Sequence, residues 1–361
     1  MQKHCTKTYN LKFIFLFGLF ILTKGLLHAK SDSLIFSNLY QQSFNLRNTN
    51  IDSSFYWINE AYGFSLEQRN SEWQAKCLNL IGILYNKKNQ YQKSFVSFER
   101  ALRLTKDSLL IGKIYINLGN LLSEMNYLYT AKKYYEDAIR ILNQKQAYQF
   151  LIRTLISLST VEFELKLPLL AKSHTKLALK YSEENNLMEE QALCLNNLAA
   201  MFIKTNQIDS ASRYIYQSFA IYNQLDNIFG LYDAYLTAID LHLKKSEFEY
   251  AKSLIEIADS LDHTINYPEN RKILINEKIV YYLKADSSQK ALTLFNYYVI
   301  LSDSLQTLKN MEIPAHQKSI EKHTSSDNKN TIPTLLFIII TLLFAILIIF
   351  FLLKHYRYVK E

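Results

Sequence analysis

Apolar side chains recur along this chain at helical spacing and are interrupted at regular intervals by short polar runs. In residues 75–108, Leu78, Ile81, Gly82 and Tyr85 share one face of a first helix. The run NKKNQ (86–90) follows, and then Ser94, Phe98 and Ala101 share one face of a second helix. The next segment repeats this layout with Tyr115, Leu118, Gly119 and Leu122, then Ala131, Tyr135 and Ala138. Small residues stand where two helix axes must approach closely, and large ones stand beside them to fill the space between layers. Ala131 has counterparts at Ala171, Ala211, Ala251 and Ala291, each 40 residues after the last. The same slot is Ser94 one unit earlier, at an offset of 37, and Ser54 before that, at 40. A fixed period of this length belongs to stacked units that bury their apolar faces on one another. The pattern predicts an all-α solenoid of about six to seven helical hairpins over residues 30–305.

Between the stripes, polar runs mark the expected turns: SEMNY (123–127), KLPLL with Pro168, KTNQID (204–209), KKSEFE (244–249) and KADSSQ (284–289). Past Leu305 the pattern fades, and residues 306–332, with Pro314, read as a linker. Both ends carry membrane patterns. A basic stretch, the apolar run FIFLFGLFIL (13–22) and Ala29 have the layout of a secretory signal peptide over 1–29, or of an N-terminal anchor. Residues 333–353 contain no charge and would extend about 32 Å as a helix, enough to cross the hydrocarbon core. Lys354, Arg357 and Lys360 follow in a short basic tail, 354–361, which puts that end in the cytoplasm by the positive-inside bias. The expected topology is a bacterial inner-membrane protein with one C-terminal transmembrane helix and an exported, periplasmic repeat domain.

The small residue late in each first helix, followed by Ala, an aromatic and Ala at i, i+4 and i+7 of the second, resembles the tetratricopeptide repeat family. Gly119, Ala131, Tyr135 and Ala138 carry the likeness in 112–145. Elsewhere it decays: 152–185 keeps Ala171 and Ala178 but has Ser159 and Thr175, and 192–225 keeps Ala199 and Ala211 but has Ile215 and Ser218. The unit at 232–265 keeps Ala251 and Ala258, and that at 272–305 keeps Ala291 and Phe295 with Tyr298 at a small-residue position. The resemblance covers roughly residues 34–305. A period of 40 instead of the family's usual 34 implies longer helices or longer links. The order of signal peptide, repeats and span also resembles the sensor half of bacterial repeat-containing histidine kinases and helix-turn-helix regulators. Only KHYRYVKE follows the span, so an output domain would have to be separate or lost.

Composition narrows the chemistry. Seven glycines and four prolines in 361 residues leave few places for phosphate loops, and no GxGxxG, GxxxxGK[ST], GxSxG, HExxH or CxxC occurs. We expect no enzyme, no cofactor and no metal. The formal charge of +8 is concentrated at the two ends, and between them 34 basic residues face 32 acidic ones. So nearly neutral a repeat region offers no footprint for a nucleic-acid backbone. The 26 tyrosines and 21 phenylalanines are read as core filling. Cys77 and Cys194 are read as small buried apolar side chains, His174 and His242 as capped or surface residues, and Lys132 as outward-facing.

One polar set stands out, asparagines on first helices: Asn79, Asn117, Asn120, Asn196 and Asn197. The resemblance places first helices along a concave groove, where Asn offers a donor and an acceptor to an extended peptide backbone. Satisfying local backbone groups is the competing use of these amides. The family's carboxylate clamp is approached only at Asn117 and Arg153. The expected partner is therefore a protein or peptide, bound by a scaffold or sensor. The topology is open to test. A reporter fused after Glu361 should be active only in the cytoplasm, while protease added outside the membrane digests the repeats; repeats protected in the cytoplasm would overturn the export argument.

Overall fold

The computed structural model describes residues 31–265 and 268–309. The expected signal peptide, the membrane span 333–353, the tail 354–361 and all but the first four residues of the linker lie outside them. Among the described residues no helix is long and apolar enough to cross a membrane. Fourteen α-helices and no strand occupy the described residues: α1 (31–46), α2 (Ile51–Glu67), α3 (Ser71–Lys87), α4 (Tyr91–Leu104), α5 (Ser108–Glu124), α6 (Leu128–Gln144), α7 (Tyr148–Glu164), α8 (Pro168–Glu184), α9 (Met188–Lys204), α10 (Ile208–Gln224), α11 (Ile228–Lys244), α12 (Phe248–Ile265), α13 (Pro268–Lys284) and α14 (Ser288–Lys309). The chain forms two compact units, one ending at Leu121 and one beginning at Leu122, with the division inside α5. The last helix runs to Lys309, four residues past the end read from the sequence.

The links explain the period. From α6 to α11 every helix has 17 residues. Three residues join each to the next, and the middle one takes a positive φ: Asn126, Gln146, Lys166, Asn186, Asn206, Asp226 and Ser246, one every 20 residues. In each link the residue after the left-handed one bonds back five positions, as Tyr127 N–H to Leu122 O (2.8 Å) and Leu187 N–H to Ser182 O (2.9 Å). The left-handed residue itself bonds back three, as Asn126 N–H to Ser123 O (2.9 Å). This is a Schellman closure, which satisfies carbonyls that the helix end leaves open. Two such half-units make 40, so the extra length over the family's usual repeat lies in the helices and not in the links. The turn positions read from the sequence coincide with these links, and Pro168 opens α8 where a missing N–H costs nothing.

The offset of 37 has its own cause. The 14-residue α4 ends at Thr105 in extended backbone, without a left-handed residue. Glu72 takes over the closure, accepting from Thr105 Oγ1 (2.5 Å) and Lys106 N–H (2.8 Å), while Asp107 Oδ1 accepts from Leu109 N–H (2.9 Å) to start α5.

In the second unit the even-numbered helices bury one narrow stripe. On α6 it is Ala131, Tyr135, Ala138 and Leu142; on α8 Ala171, Thr175, Ala178 and Ser182; on α10 Ala211, Ile215, Ser218 and Tyr222; on α12 Ala251, Ile255, Ala258 and Asp262. The odd-numbered helices are enclosed more fully, with ten buried residues on α9 and nine on α11, and they pack on one another as α7 on α9, α9 on α11 and α11 on α13. Where a hydroxyl replaces the family's small or aromatic residue, it is satisfied inside the core. Ser94 Oγ donates to Gly82 O (2.8 Å), Thr175 Oγ1 to Ser159 Oγ (2.9 Å) and Ser218 Oγ to Ala192 O (2.9 Å). These bonds let the repeat tolerate departures from its consensus.

Three expectations need correction. Lys132 is half-buried, and its ammonium lies 3.6 Å from Oε1 of the fully buried Glu162. His174 is no isolated surface residue, because its Nδ1 meets the other Glu162 oxygen at 2.7 Å. His242 is buried, paired through Nδ1 with Glu247 (2.5 Å) and stacked on Tyr250. Histidine and lysine recede here because a buried carboxylate or an aromatic face repays their desolvation. Cys77 and Cys194 are free and buried, as expected, and burial pushes both thiols up to about 12.

The glycines separate packing from propensity. A Cβ on Gly82 would lie 2.5 Å from the enclosed Phe98 ring, whereas one on Gly63 would meet nothing within 4 Å. Both sit in helices, so Ala brings about 1 kcal/mol of propensity at either site. Gly63→Ala should raise stability by up to that amount. Gly82→Ala should lower it on balance, since overpacking costs roughly 1–3 kcal/mol. Denaturant melts of the two variants should move in opposite directions, and a shared direction would contradict the close approach at Gly82.

Candidate functional site

The nominated polar residues divide into two groups. In the first unit, Asn117 Nδ2 on α5 donates to Asn79 Oδ1 on α3 (2.8 Å), and Asn79 is buried. Asn120 is half-buried and also has a partner. In the second unit, Arg153 on α7 is held by α9: its Nε donates to Glu190 Oε1 (2.9 Å) and a terminal nitrogen to Glu189 Oε1 (3.0 Å). Gln149 Nε2 donates to the same Glu190 oxygen (3.1 Å), and Glu190 is almost wholly buried. Burial alone would lower the Arg153 pKa, but these two carboxylates raise it. On α11 and α13, Asn270 Nδ2 donates to Asp233. Each bond joins successive odd-numbered helices, at separations of 36 to 41 residues. Such pairs act as rungs between neighbouring odd-numbered helices within each unit.

Asn196 and Asn197 behave differently. Both line a cavity of about 790 Å³ that runs across α9, α11 and α13 in the second unit. Its walls repeat in steps of 40: Leu193, Asp233 and Ile273; Asn196, Leu236 and Asn276; Asn197, Thr237 and Glu277; Ala200, Asp240 and Val280. Lys204 and Lys244 stand exposed at one end, and Lys272 with Tyr298 at another edge. Asn197 spends its Nδ2 on Leu193 O (2.9 Å), as a helix side chain bonding back to its own turn. Asn196 is 7% exposed, and its Oδ1 has no hydrogen-bond partner.

The cavity's acids are displaced from their ordinary range. Burial pushes the Glu277 carboxyl up to about 7, with the negative charge of Asp240 adding to the shift and Asn276, Lys244 and Lys204 opposing it. Burial also raises Asp240, against Lys244, Lys204 and Lys284, and raises Asp233 against its bond from Asn270. Among the described residues, no lysine forms an ion pair with Asp240 or Glu277. Displaced carboxyls in a cleft are a physical mark of a working site. Reading by residue type missed Asp240 and Glu277. Reading by position would have found Glu277, because stepping the period from Asn197 leads through Thr237 to it.

This arrangement defines a class: first helices, braced by polar rungs, that present a cavity lined by both apolar and polar side chains. The sequence matches the tetratricopeptide repeat family model at residues 75–108 and 112–141 in one form and at 191–225 in another. These three stretches of the chain are tetratricopeptide repeats. Solved structures of similar fold include a Rap protein complexed with competence and sporulation factor (11% identity, 81% of each chain covered, TM-score 0.59). Another is aspartyl phosphate phosphatase F from Bacillus subtilis (13% identity, 78% of this chain and 96% of that one, TM-score 0.54). A third is a tetratricopeptide repeat protein from Parabacteroides merdae (15% identity, 76% and 97%, TM-score 0.51). No curated protein matches the sequence.

The pH dependence of stability reads the buried acid. With its folded pKa raised from 4.5 to about 7, Glu277 holds a proton more tightly when the chain is folded. Its contribution is fully present below about pH 4.5 and is lost as pH rises to about 7. Glu277→Gln cannot ionise, so relative to the parent it should gain stability across that window, by at most about 3 kcal/mol. Urea melts of both proteins at fixed salt measure the gap, and a gap that stays flat would mean that the carboxyl is not desolvated.

Proposed function

We propose that this protein binds a protein or peptide partner along the cavity of α9, α11 and α13, and serves as a membrane-anchored scaffold or sensor. The observation that carries the reading is the cavity itself, whose apolar walls carry a few polar groups. Its volume of about 790 Å³ lies in the range of specific ligand sites, and its long axis crosses three helices held at fixed spacing. An extended segment laid across them would meet a similar rung at each helix. One protein of similar fold was solved as a complex with competence and sporulation factor, in keeping with partner binding as a use of this architecture. Catalysis is not part of the proposal. The likeness to an aspartyl phosphate phosphatase, at 13% identity, extends to the fold alone.

Anchoring rests on the charge-free run 333–353, and export of the repeats on the pattern over 1–29. With both, ligand capture outside the membrane would be reported inward by a separate protein, the sensory alternative to plain scaffolding. Site-specific photocrosslinking in cells tests the binding face. A crosslinker at Thr237 in the cavity should trap a defined partner, and Ala200→Trp, which fills the cavity, should abolish that product. The same crosslinker at exposed Arg213 on α10 should not trap it. Equal trapping from both faces, or trapping indifferent to Ala200→Trp, would place the partner elsewhere.

A further inference from the structure

The polar groups buried in the α9–α11–α13 cavity without a close partner are acceptors, while its lysines stand exposed at the edges. Asn196 is more than nine-tenths buried and its Oδ1 receives no hydrogen bond. Glu277 is 9% exposed and receives only a long contact of 3.4 Å from its neighbour Asn276. Asp240 has no hydrogen-bond partner among the described residues. The one carboxylate that is supplied, Asp233, takes its donor from Asn270 of the same wall. Lysines are close enough to act through the field, since Lys204 and Lys244 both bear on Asp240 and Glu277, yet neither forms an ion pair with them. Lys204 instead lies over the Phe163 ring and Lys272 over the Tyr298 ring. Buried acceptors without donors are costly, more so when they carry charge. What completes the site must therefore bring several N–H donors and a positive charge together.

We propose that this cavity is a binding site for a cationic, donor-rich group, a guanidinium by preference, carried by the ligand that the chain binds. The proposal rests on the reading of this cavity as the partner site and supplies its chemistry. A planar guanidinium offers five N–H groups in a fixed fork, enough to serve two carboxylates and an amide oxygen at once, whereas an ammonium offers three. Asp240 and Glu277 lie on adjacent helices and feel each other's charge, so a single cation between them relieves their mutual repulsion as well as their burial. A carboxylate or phosphate on the ligand would meet the opposite, further acceptors against acceptors. The site thus inverts the usual clamp for an acidic chain end, and Arg153, the residue closest to that pattern, is already occupied by Glu189 and Glu190.

The guanidinium could belong to a peptide side chain or to a small free molecule, and the probes separate these sources. Methyl resonances of Leu193, Leu236, Ile273 and Val280 report the cavity in the full-length chain at pH 8. The probes are a blocked pentaglycine with arginine at its centre, the same peptide with glutamine or glutamate there, and agmatine. The arginine peptide should shift these methyls at concentrations at least tenfold below the glutamine peptide. Agmatine matching it identifies a small guanidinium ligand, and agmatine well below it identifies a peptide. Glu277→Gln and Asp240→Asn should each weaken the arginine response at least tenfold, and the unperturbed spectrum of each variant shows that the fold persists. If the glutamine or glutamate peptide shifts the methyls as readily, the cation site is wrong while the partner cavity stands. If no probe shifts them at millimolar concentration, or the two variants respond like the parent, the proposal is overturned, and the crosslinking from Thr237 decides the partner reading separately.

Discussion

The left-handed residue in the middle of each three-residue link sets the geometry on which the rest depends. It ends a helix after 17 residues, closes its last carbonyls and starts the next helix without a longer loop. From Asn126 to Ser246 this happens every 20 residues, so positions 40 apart fall at the same height and on the same face of neighbouring helices. Without Gly in these positions, the chain uses Asn, Asp, Gln, Lys and Ser, for which a left-handed backbone is strained by roughly 1–2 kcal/mol each. The Schellman bonds and the packing of both flanking helices overcome that strain. The link after α4 has no left-handed residue and needs the carboxylate of Glu72 to close it, and there the period shortens to 37.

Fixed height turns isolated polar residues into rungs. Asn79 with Asn117, Arg153 with Glu190, and Asp233 with Asn270 each bridge two successive odd-numbered helices. Their donors and acceptors are spent on one another, so they brace neighbouring helices within each unit and hold little back for a ligand. The same register also produces the opposite condition one or two turns further along α9, α11 and α13. There Asn196, Asp240 and Glu277 line a cavity in which, among the described residues, the lysines form no ion pair with the two acids, and Asn196 Oδ1 has no hydrogen-bond partner. Burial that pushes a carboxyl up to about 7 works against the folded state at neutral pH. Retaining such a group is reasonable where a ligand supplies what the fold withholds.

Much of this was legible before any tertiary information. Ala131, Ala171, Ala211 and Ala251 are fully enclosed, because helix axes approach closely only where a side chain is small, and such residues declare themselves by period. The turns declared themselves because runs such as SEMNY and KADSSQ interrupt an apolar stripe. Asn196 and Asn197 were nominated from their place on a first helix, and both line the cavity. Asp240 and Glu277 were not, since an acid on a helix normally reads as a solvated face, and nothing in residue type tells whether neighbouring helices will cover it. Lys132, His174 and His242 sit deeper than their residue type suggests because partners draw them from solvent: Glu162 for the first two, and Glu247 with Tyr250 for His242.

The sequence by itself determined the helices, their period, the stacking register and the two apolar patterns at the chain ends, because all of these follow from spacing along one chain. Only the tertiary structure decided which polar groups are satisfied. That Asn79 meets Asn117 at 2.8 Å while Asn196 Oδ1 meets nothing depends on how far apart neighbouring helices stand at that height. Hydrogen bonds are lost over a few tenths of an ångström and burial changes within one helical turn, distances that periodicity does not encode.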